Sequence, residues 1–264
     1  MSGYREFSFA DHAKEFDEHI RASIRGLDDL RTEVVNASRY HVQSGTVVID
    51  IGCSAGTVLR SVRDANRATR PGVRYLGIDV EPSFESHWRE RAADDLEFRF
   101  ADARSHRFDD ASLVISLFTF QFLPMRDRVP LLQRIHDGLV EGGALIIAEK
   151  VLANSARFQE LCMVNYYDHK LRAFSADEIL GKALDLRGMM DPWEETRLLD
   201  ALRSVGFRPD DVQHLWRQHG LFGAWLARKG TSTAGMSRPA RIRTRLAPLQ
   251  GVGDELRPDR ISEK

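Results

Sequence analysis

The stretch from Thr46 to Gly56, Thr-Val-Val-Ile-Asp-Ile-Gly-Cys-Ser-Ala-Gly, limits the fold of this chain more than any other segment. Its first half is an unbroken apolar run bounded by Ser44-Gly45 and by Gly52, the pattern of a strand covered on both faces. The glycines that follow let the backbone turn sharply straight into a helix, predicted over 56–66. A buried strand feeding a helix through a glycine turn is the opening unit of a parallel α/β sheet.

The rest of the chain repeats that alternation. Strands are predicted over 73–80, 96–101, 111–117 and 144–149, with helices over 84–93 and 128–139, the latter stopped by Gly142-Gly143. Residues 156–190 read as helix with a break near Ala173-Phe174-Ser175, and 194–205 as one more helix. Two last strands, 211–217 and 221–228, flank His219-Gly220 closely enough to form a hairpin. The expected class is α/β: a Rossmann-like, mostly parallel twisted sheet with an antiparallel edge and a helical insertion. Residues 1–44 are expected to form a helical cap, 45–229 the ligand-binding domain with a helical lid over 153–192, and 230–264 a disordered basic tail.

Bulk properties narrow the function. The 264 residues carry 38 basic and 39 acidic side chains, so no net field draws the chain to nucleic acid or an anionic membrane. The tail cluster Arg238, Arg241, Arg243 and Arg245 leaves contact with RNA or an acidic partner open. Two cysteines, Cys53 and Cys162, exclude a disulfide framework and a cysteine-rich zinc site, and no metal is expected. The first residues, MSGYREFSFADH, lack a secretory pattern, and no apolar run nears the ~18 residues of a membrane span. A cytoplasmic protein without membrane contact is expected.

The glycine loop fits neither common phosphate cradle. A Walker loop needs Gly-Lys-Ser/Thr, and a dinucleotide loop needs a glycine where Ser54 stands. Asp50, just before the turn, would repel a pyrophosphate but suits a ligand that carries an ammonium and a sulfonium. Asp79, followed by Val80, ends the second strand 23 residues after Gly56, where an acid accepts both ribose hydroxyls. Asp102 and Ala103 follow the third strand, within expected reach of an adenine. These residues predict binding of S-adenosylmethionine (SAM), with backbone groups of Gly52, Cys53 and Ser54 taking its amino-acid part.

At these residues Ile49 to Gly56 resembles the first motif of class I methyltransferases. Phe118-Thr119-Phe120-Gln121-Phe122-Leu123, Gly142-Gly143-Ala144-Leu145 and Glu149-Lys150 resemble more narrowly the carboxy-SAM synthase family. The likeness runs through Glu160-Leu161, Asp168, Lys170, Glu178-Ile179, Lys182 and Phe222-Gly223, covering about residues 8 to 229. It implies a SAM-binding fold, transfer of a carboxyl group from prephenate to the SAM methyl, a link to wobble-uridine modification of tRNA, and a homodimer formed through the helical insertion. The likeness fails at three positions. Ala183 stands where the family has the Arg that reaches the extra carboxylate, Leu27 where it has a cofactor-contacting Tyr, and Leu117 where it has a cofactor-lining Asn. An Arg–carboxylate hydrogen bond contributes roughly 1.5–3 kcal/mol. These changes predict a relative that uses ordinary SAM as a methyl donor, with Arg187 one helical turn from Ala183 as an alternative cation.

Methyl transfer from a sulfonium chiefly needs alignment and exclusion of water. Tyr166, Tyr167 and His169 in the lid are the candidate proton acceptors, although the tyrosines equally fit a dimer contact. Glu149 and Lys150 stand at the crevice rim. No Pro-Cys or Asp-Pro-Pro-Tyr motif of nucleic-acid methylases is present, which favours a small-molecule acceptor. An inactive SAM-binding subunit or sensor is the third expectation.

Overall fold

The computed structural model describes residues 16–89 and 92–231. The expected tail thus lies outside the described residues except for its first two positions, and so does the start of the helical cap.

Strands β1 (Val47–Ile51), β2 (Arg74–Asp79), β3 (Leu96–Phe100), β4 (Ala111–Leu117) and β5 (Leu139–Leu152) pair in parallel. The hairpin β7 (Val212–Gln218) and β8 (Phe222–Arg228) adds an antiparallel edge, β8 lying against β5. The order across the sheet is β3-β2-β1-β4-β5-β8-β7, and a two-residue strand, β6 (Trp193–Glu194), pairs with the end of β5. The order reverses direction between β1 and β4, which opens a crevice above the carboxyl ends of those strands.

Period-two alternation along the strands divides the core. Ile49, Ile51, Ile78 and Val114 face helices α5 (Met125–Gly138) and α8 (Glu195–Ser204) through Leu131, Leu132, Leu198 and Leu202. Val48, Tyr75, Leu113 and Ile146 face α2 (Leu27–His41) and α3 (Thr57–Asn66) through Leu30, Val34, Leu59 and Val62. Most of these side chains are fully buried, each contributing roughly 1.5–3 kcal/mol against leaving it in water. The same alternation puts Asp50 on the second face, alongside α1 (Phe16–Ser23) and α2.

Three departures from the sequence reading have local causes. The helix expected over 84–93 is a 3₁₀ turn, Pro82–Phe84, and a single helical turn and a half, α4 (Glu85–Arg89). Pro82 sets the entry dihedral, and Glu81 accepts from the Ser83 amide to start it. The helix expected to stop at Gly142-Gly143 ends at Gly138, because a Cβ there would meet the Phe108 carbonyl at 2.4 Å. The chain then enters β5 early, and Gly142 at φ +76° is a bend within it. The lid is two helices, α6 (Ala156–Lys170) and α7 (Ala176–Asp185), broken at Ala173-Phe174-Ser175 by a Ser175–Glu178 capping box. No helix among the described residues is long and apolar enough to cross a membrane.

Candidate cofactor and acceptor site

A cavity of about 740 Å³ opens at the crevice, lined from α1 and α2, the glycine loop, the end of β2, the segment after β4, the end of β5 and the lid. The loop is held from below. The amides of Gly52 and Cys53 both donate to the Ile78 carbonyl, at 2.8 and 3.2 Å, and the Ser54 amide donates to Asp79 Oδ2 at 2.9 Å. Trp88 Nε1 donates to the Ser54 carbonyl at 2.7 Å. Gly52 lies at φ +68°, where an added Cβ would stand 2.2 Å from Thr119 Oγ1, and that hydroxyl donates to the Ile51 carbonyl at 3.0 Å. Gly56 at φ +75° packs on the Phe98 ring, with which a Cβ would collide at 2.3 Å. The expectation that backbone amides of Gly52 to Ser54 receive the ligand is therefore corrected. Those donors are spent inside the loop, and what the turn offers a ligand is close approach.

Asp50 is 3% exposed and lines the cavity, yet no hydrogen-bond donor or cation meets its carboxylate among the described residues. Burial, and next the neighbouring Asp79, push its pKa up to about 8. Burial raises Asp79 too, against the amides of Ser54 and Glu81 that hold its charged form. Glu81 lines the same end. An acidic end built this way is complementary to a small cation.

Cys53, Ser54, Val80 and Leu117 line the cavity with Asp50, Gly52 and Asp79. Burial and the two aspartates hold the Cys53 thiol well above its ordinary pKa, so the residue serves the loop as a backbone and not as a thiolate. Gly56 caps α3 behind the loop, outside the lining. Asp102 and Ala103 are also outside it. The Asp102 carboxylate is held by Arg104 through paired bonds of 2.7 to 3.1 Å, and Ala103 is packed in the core below α5. The structure thus does not bring these two to the cavity, because Arg104, two residues on, claims the acid.

In the lid, Tyr166 and Tyr167 line the cavity and stack on each other with centroids 6.3 Å apart. Burial pushes the Tyr166 phenol up to about 12, which keeps it a proton donor at neutral pH and corrects its expected role as a base. His169 faces away, into a separate hollow of about 340 Å³ with Arg25, Asp168, Arg172 and His219. Its ring lies 5.1 Å from that of His219, so it does not reach the main cavity.

The floor is stitched by two crossed bonds. The Phe120 amide donates to Glu149 Oε1 at 3.0 Å, and the Lys150 amide donates to Gln121 Oε1 at 2.9 Å. Glu149 is thereby a buried strut, and only Lys150 of that pair faces the cavity. Ile20, Ile24 and Leu27 close the side facing α1 and α2. Their apolar spacing marks them in the sequence as a cap; that the cap roofs the site needed the fold. Leu27, Leu117, Ala183 and Arg187, the positions where the family likeness breaks, all line this one cavity.

Comparison with known proteins agrees with this geometry. Residues 49–145 match the family model described as a methyltransferase domain. The carboxy-S-adenosyl-L-methionine synthase of Klebsiella pneumoniae strain 342 is 32% identical over 228 residues, 84% of this chain and 90% of that protein. The enzyme of the same name from Staphylococcus epidermidis is 26% identical over 80% of this chain and 92% of its own. Among solved structures, human N-acetylserotonin methyltransferase in complex with SAM superposes with a TM-score of 0.50 at 20% identity, covering 76% of this chain and 52% of that one. An O-methyltransferase family protein from Burkholderia thailandensis gives 0.56 at 14% identity over 88% and 66%. At these identities the structures speak to the fold alone.

Proposed function

The chain belongs to the carboxy-S-adenosyl-L-methionine synthase family and is a SAM-dependent transferase, and from that premise we propose that it passes the methyl group of ordinary SAM to a small-molecule acceptor held under the lid. The observation that carries SAM itself is Asp50, a buried carboxylate without a partner among the described residues, beside a glycine that a Cβ would drive into Thr119. Asp50 would face the cationic amino-acid end and Asp79 the ribose hydroxyls. SAM, when bound, supplies a methyl already activated on a sulfonium. The chain's part is to fix that methyl before the acceptor and to exclude water with Ile20, Ile24, Leu27 and Tyr166. Tyr166 serves as a hydrogen-bond donor and packing surface, so the acceptor's proton leaves to solvent or to a base on the acceptor.

Methyl transfer is favoured over carboxy transfer because Leu27, Leu117 and Ala183 present apolar surface where the family likeness places a Tyr, an Asn and a carboxylate-binding Arg. One observation supports the second reading, a carboxy-SAM synthase using prephenate. Arg187 lines the cavity one turn beyond Ala183 and could meet a carboxylate there. A homodimer is part of the proposal, supported by the exposed Phe158, Leu161 and Val164 on α6 and Leu180 on α7.

The deciding experiment is native purification with mass spectrometry of the bound nucleotide, in the wild type and in Ala183→Arg, followed by turnover with SAM and prephenate. SAM or S-adenosylhomocysteine in the wild type, without carboxy-SAM, is the expected result. Carboxy-SAM in the wild type overturns the methyl reading in favour of Arg187. A protein that neither carries nor takes up SAM overturns both.

A further inference from the structure

The end of the cavity opposite Asp50 carries the reverse charge. Lys150, from the end of β5, and Lys170, from the last turn of α6, both line it, and their Nζ atoms lie 5.4 and 5.7 Å from the centroid of the Tyr166 ring that separates them. Lys170 is only 7% exposed, and its Nζ lies 5.5 Å from the Phe174 ring as well. Neither ammonium meets a carboxylate among the described residues. Lys182 and Arg187 line the same wall.

Buried lysines are almost always paired, because burial removes the water that solvates the ammonium. Aromatic faces return part of that loss. They cannot use the three N–H donors of an ammonium, which call for oxygen acceptors. Placing a second ammonium across the same ring adds repulsion. Burial, and then Lys170, bring Lys150 down to about 8, and burial lowers Lys170. A fold that needed only apolar bulk here would be better served by Leu or Met. Two such cations facing one cavity answer to an anion brought from outside.

We propose that Lys150 and Lys170, on either side of Tyr166, hold an anionic oxygen group of the acceptor, a carboxylate or a phosphate, and so set the acceptor class of this enzyme. The inference rests on the SAM reading above, which assigns the opposite end to a cation. With both ligands bound, the acidic end faces the cationic donor and the basic end faces the anionic acceptor. Acceptor charge is then read by lysines on β5 and α6, and not at position 183.

The test uses the full chain saturated with S-adenosylhomocysteine and labelled at lysine Cε, with the two resonances assigned from Lys150→Met and Lys170→Met. Acetate and inorganic phosphate are the probes, each small enough to enter any anion site. The expected result is a saturable shift of both resonances, with both lysine pKa values rising by about one unit or more on occupancy. Each methionine variant should weaken the preferred probe by about fivefold or more, in line with loss of a charge-assisted bond. Whichever probe saturates at lower concentration identifies the group as carboxylate or phosphate. Resonances that do not respond, or that move no more than those of the remaining lysines, overturn the proposal. If Lys170→Met fails to fold, the Lys150→Met variant and the wild-type titration still decide. Failure to bind S-adenosylhomocysteine is read separately and counts against the SAM reading, not against the lysines.

Discussion

The Ser54 amide donates to the Asp79 carboxylate at 2.9 Å, so the glycine loop after β1 is tied to the acid that ends β2. One oxygen of Asp79 is thereby engaged with the loop, and the other accepts from the Glu81 amide at 3.0 Å. A carboxylate has about four acceptor sites, which leaves capacity for ribose hydroxyls. Asp79→Asn keeps the shape but puts an amide donor where at least one backbone donor already points. S-Adenosylhomocysteine affinity is expected to fall about tenfold to a hundredfold, measured by calorimetry, while the circular dichroism stays that of the wild type. Unchanged affinity would remove Asp79 from the ligand site.

Gly52→Ala should be worse for the ligand than its one added methyl suggests. A residue with a Cβ at φ +68° costs roughly 1–2 kcal/mol, and the new carbon would stand 2.2 Å from Thr119 Oγ1. Thr119 can move only by giving up its bond to the Ile51 carbonyl. The expected outcome is a thermal midpoint several degrees lower and loss of nucleotide copurification. Thr119→Ser in the same background, which deletes the crowding methyl 3.0 Å away, should restore little, because the hydroxyl is the nearer clash.

The contrast between Asp79 and Asp102 shows what was legible in the sequence. Both follow strands at the position expected for a ligand-facing acid, and the strands formed where period and glycine turns placed them. Asp79 lines the cavity because its local partners are backbone amides, which leave lone pairs free; Asp102 is neutralised by Arg104, two residues away. Side-chain choices of that kind depend on rotamers that spacing does not encode. His169 failed differently. On α6 it is three residues from Tyr166, yet it faces the hollow beside His219 while Tyr166 faces the cavity. A helix with almost no apolar stripe gave no reason to choose either face. The roofing by Ile20 and Ile24 was likewise hidden, since an amphipathic cap reads the same over a core or over a ligand.

Arg128 offers a test of how the lid is anchored. Its side chain, fully buried, donates to the carbonyls of Leu123 at 2.9 Å, Gln121 at 3.4 Å and Asp191 at 2.7 Å, and lies over the Trp193 ring at 5.3 Å. It thus ties the segment after β4 to the chain leaving α7. Arg128→Met fills the space but leaves buried carbonyls without donors, an expected loss of about 3 kcal/mol in chemical denaturation. Arg128→Lys should recover only part of it, since one ammonium cannot span three acceptors in a fork. A loss below about 0.5 kcal/mol, the size of an ordinary surface change, would mean that the lid is held elsewhere.

Asp50 and Glu149 give the protein an unusual pH profile that separates binding from folding. Burial holds both carboxyls near a pKa of about 8, far above their unfolded values. The folded state therefore keeps protons that the unfolded chain has already released, so stability falls as pH rises toward about 8. Histidines such as His136, pushed below 6.5 by burial, act in the opposite sense but finish titrating at lower pH. Lys150 and Lys182, brought down to about 8, add stability only above that value, where the unfolded chain holds the extra proton. The ligand-free protein should accordingly decline in stability from about pH 6.5, pass a minimum near 8 and recover above it. Asp50→Asn and Glu149→Gln should each remove part of the decline. Their effects on SAM should differ. A cationic ligand favours ionised Asp50, so affinity should rise with pH over the same interval, by at most about tenfold per unit for one proton. Glu149, bonded to the Phe120 amide beneath the floor, has no such coupling. Calorimetric titrations of SAM from pH 6.5 to about 8 should therefore show a slope that Asp50→Asn abolishes and Glu149→Gln preserves. If the slope survives in Asp50→Asn, the buried acid of β1 is not the counter-ion of the ligand, and its cost to the fold has another cause.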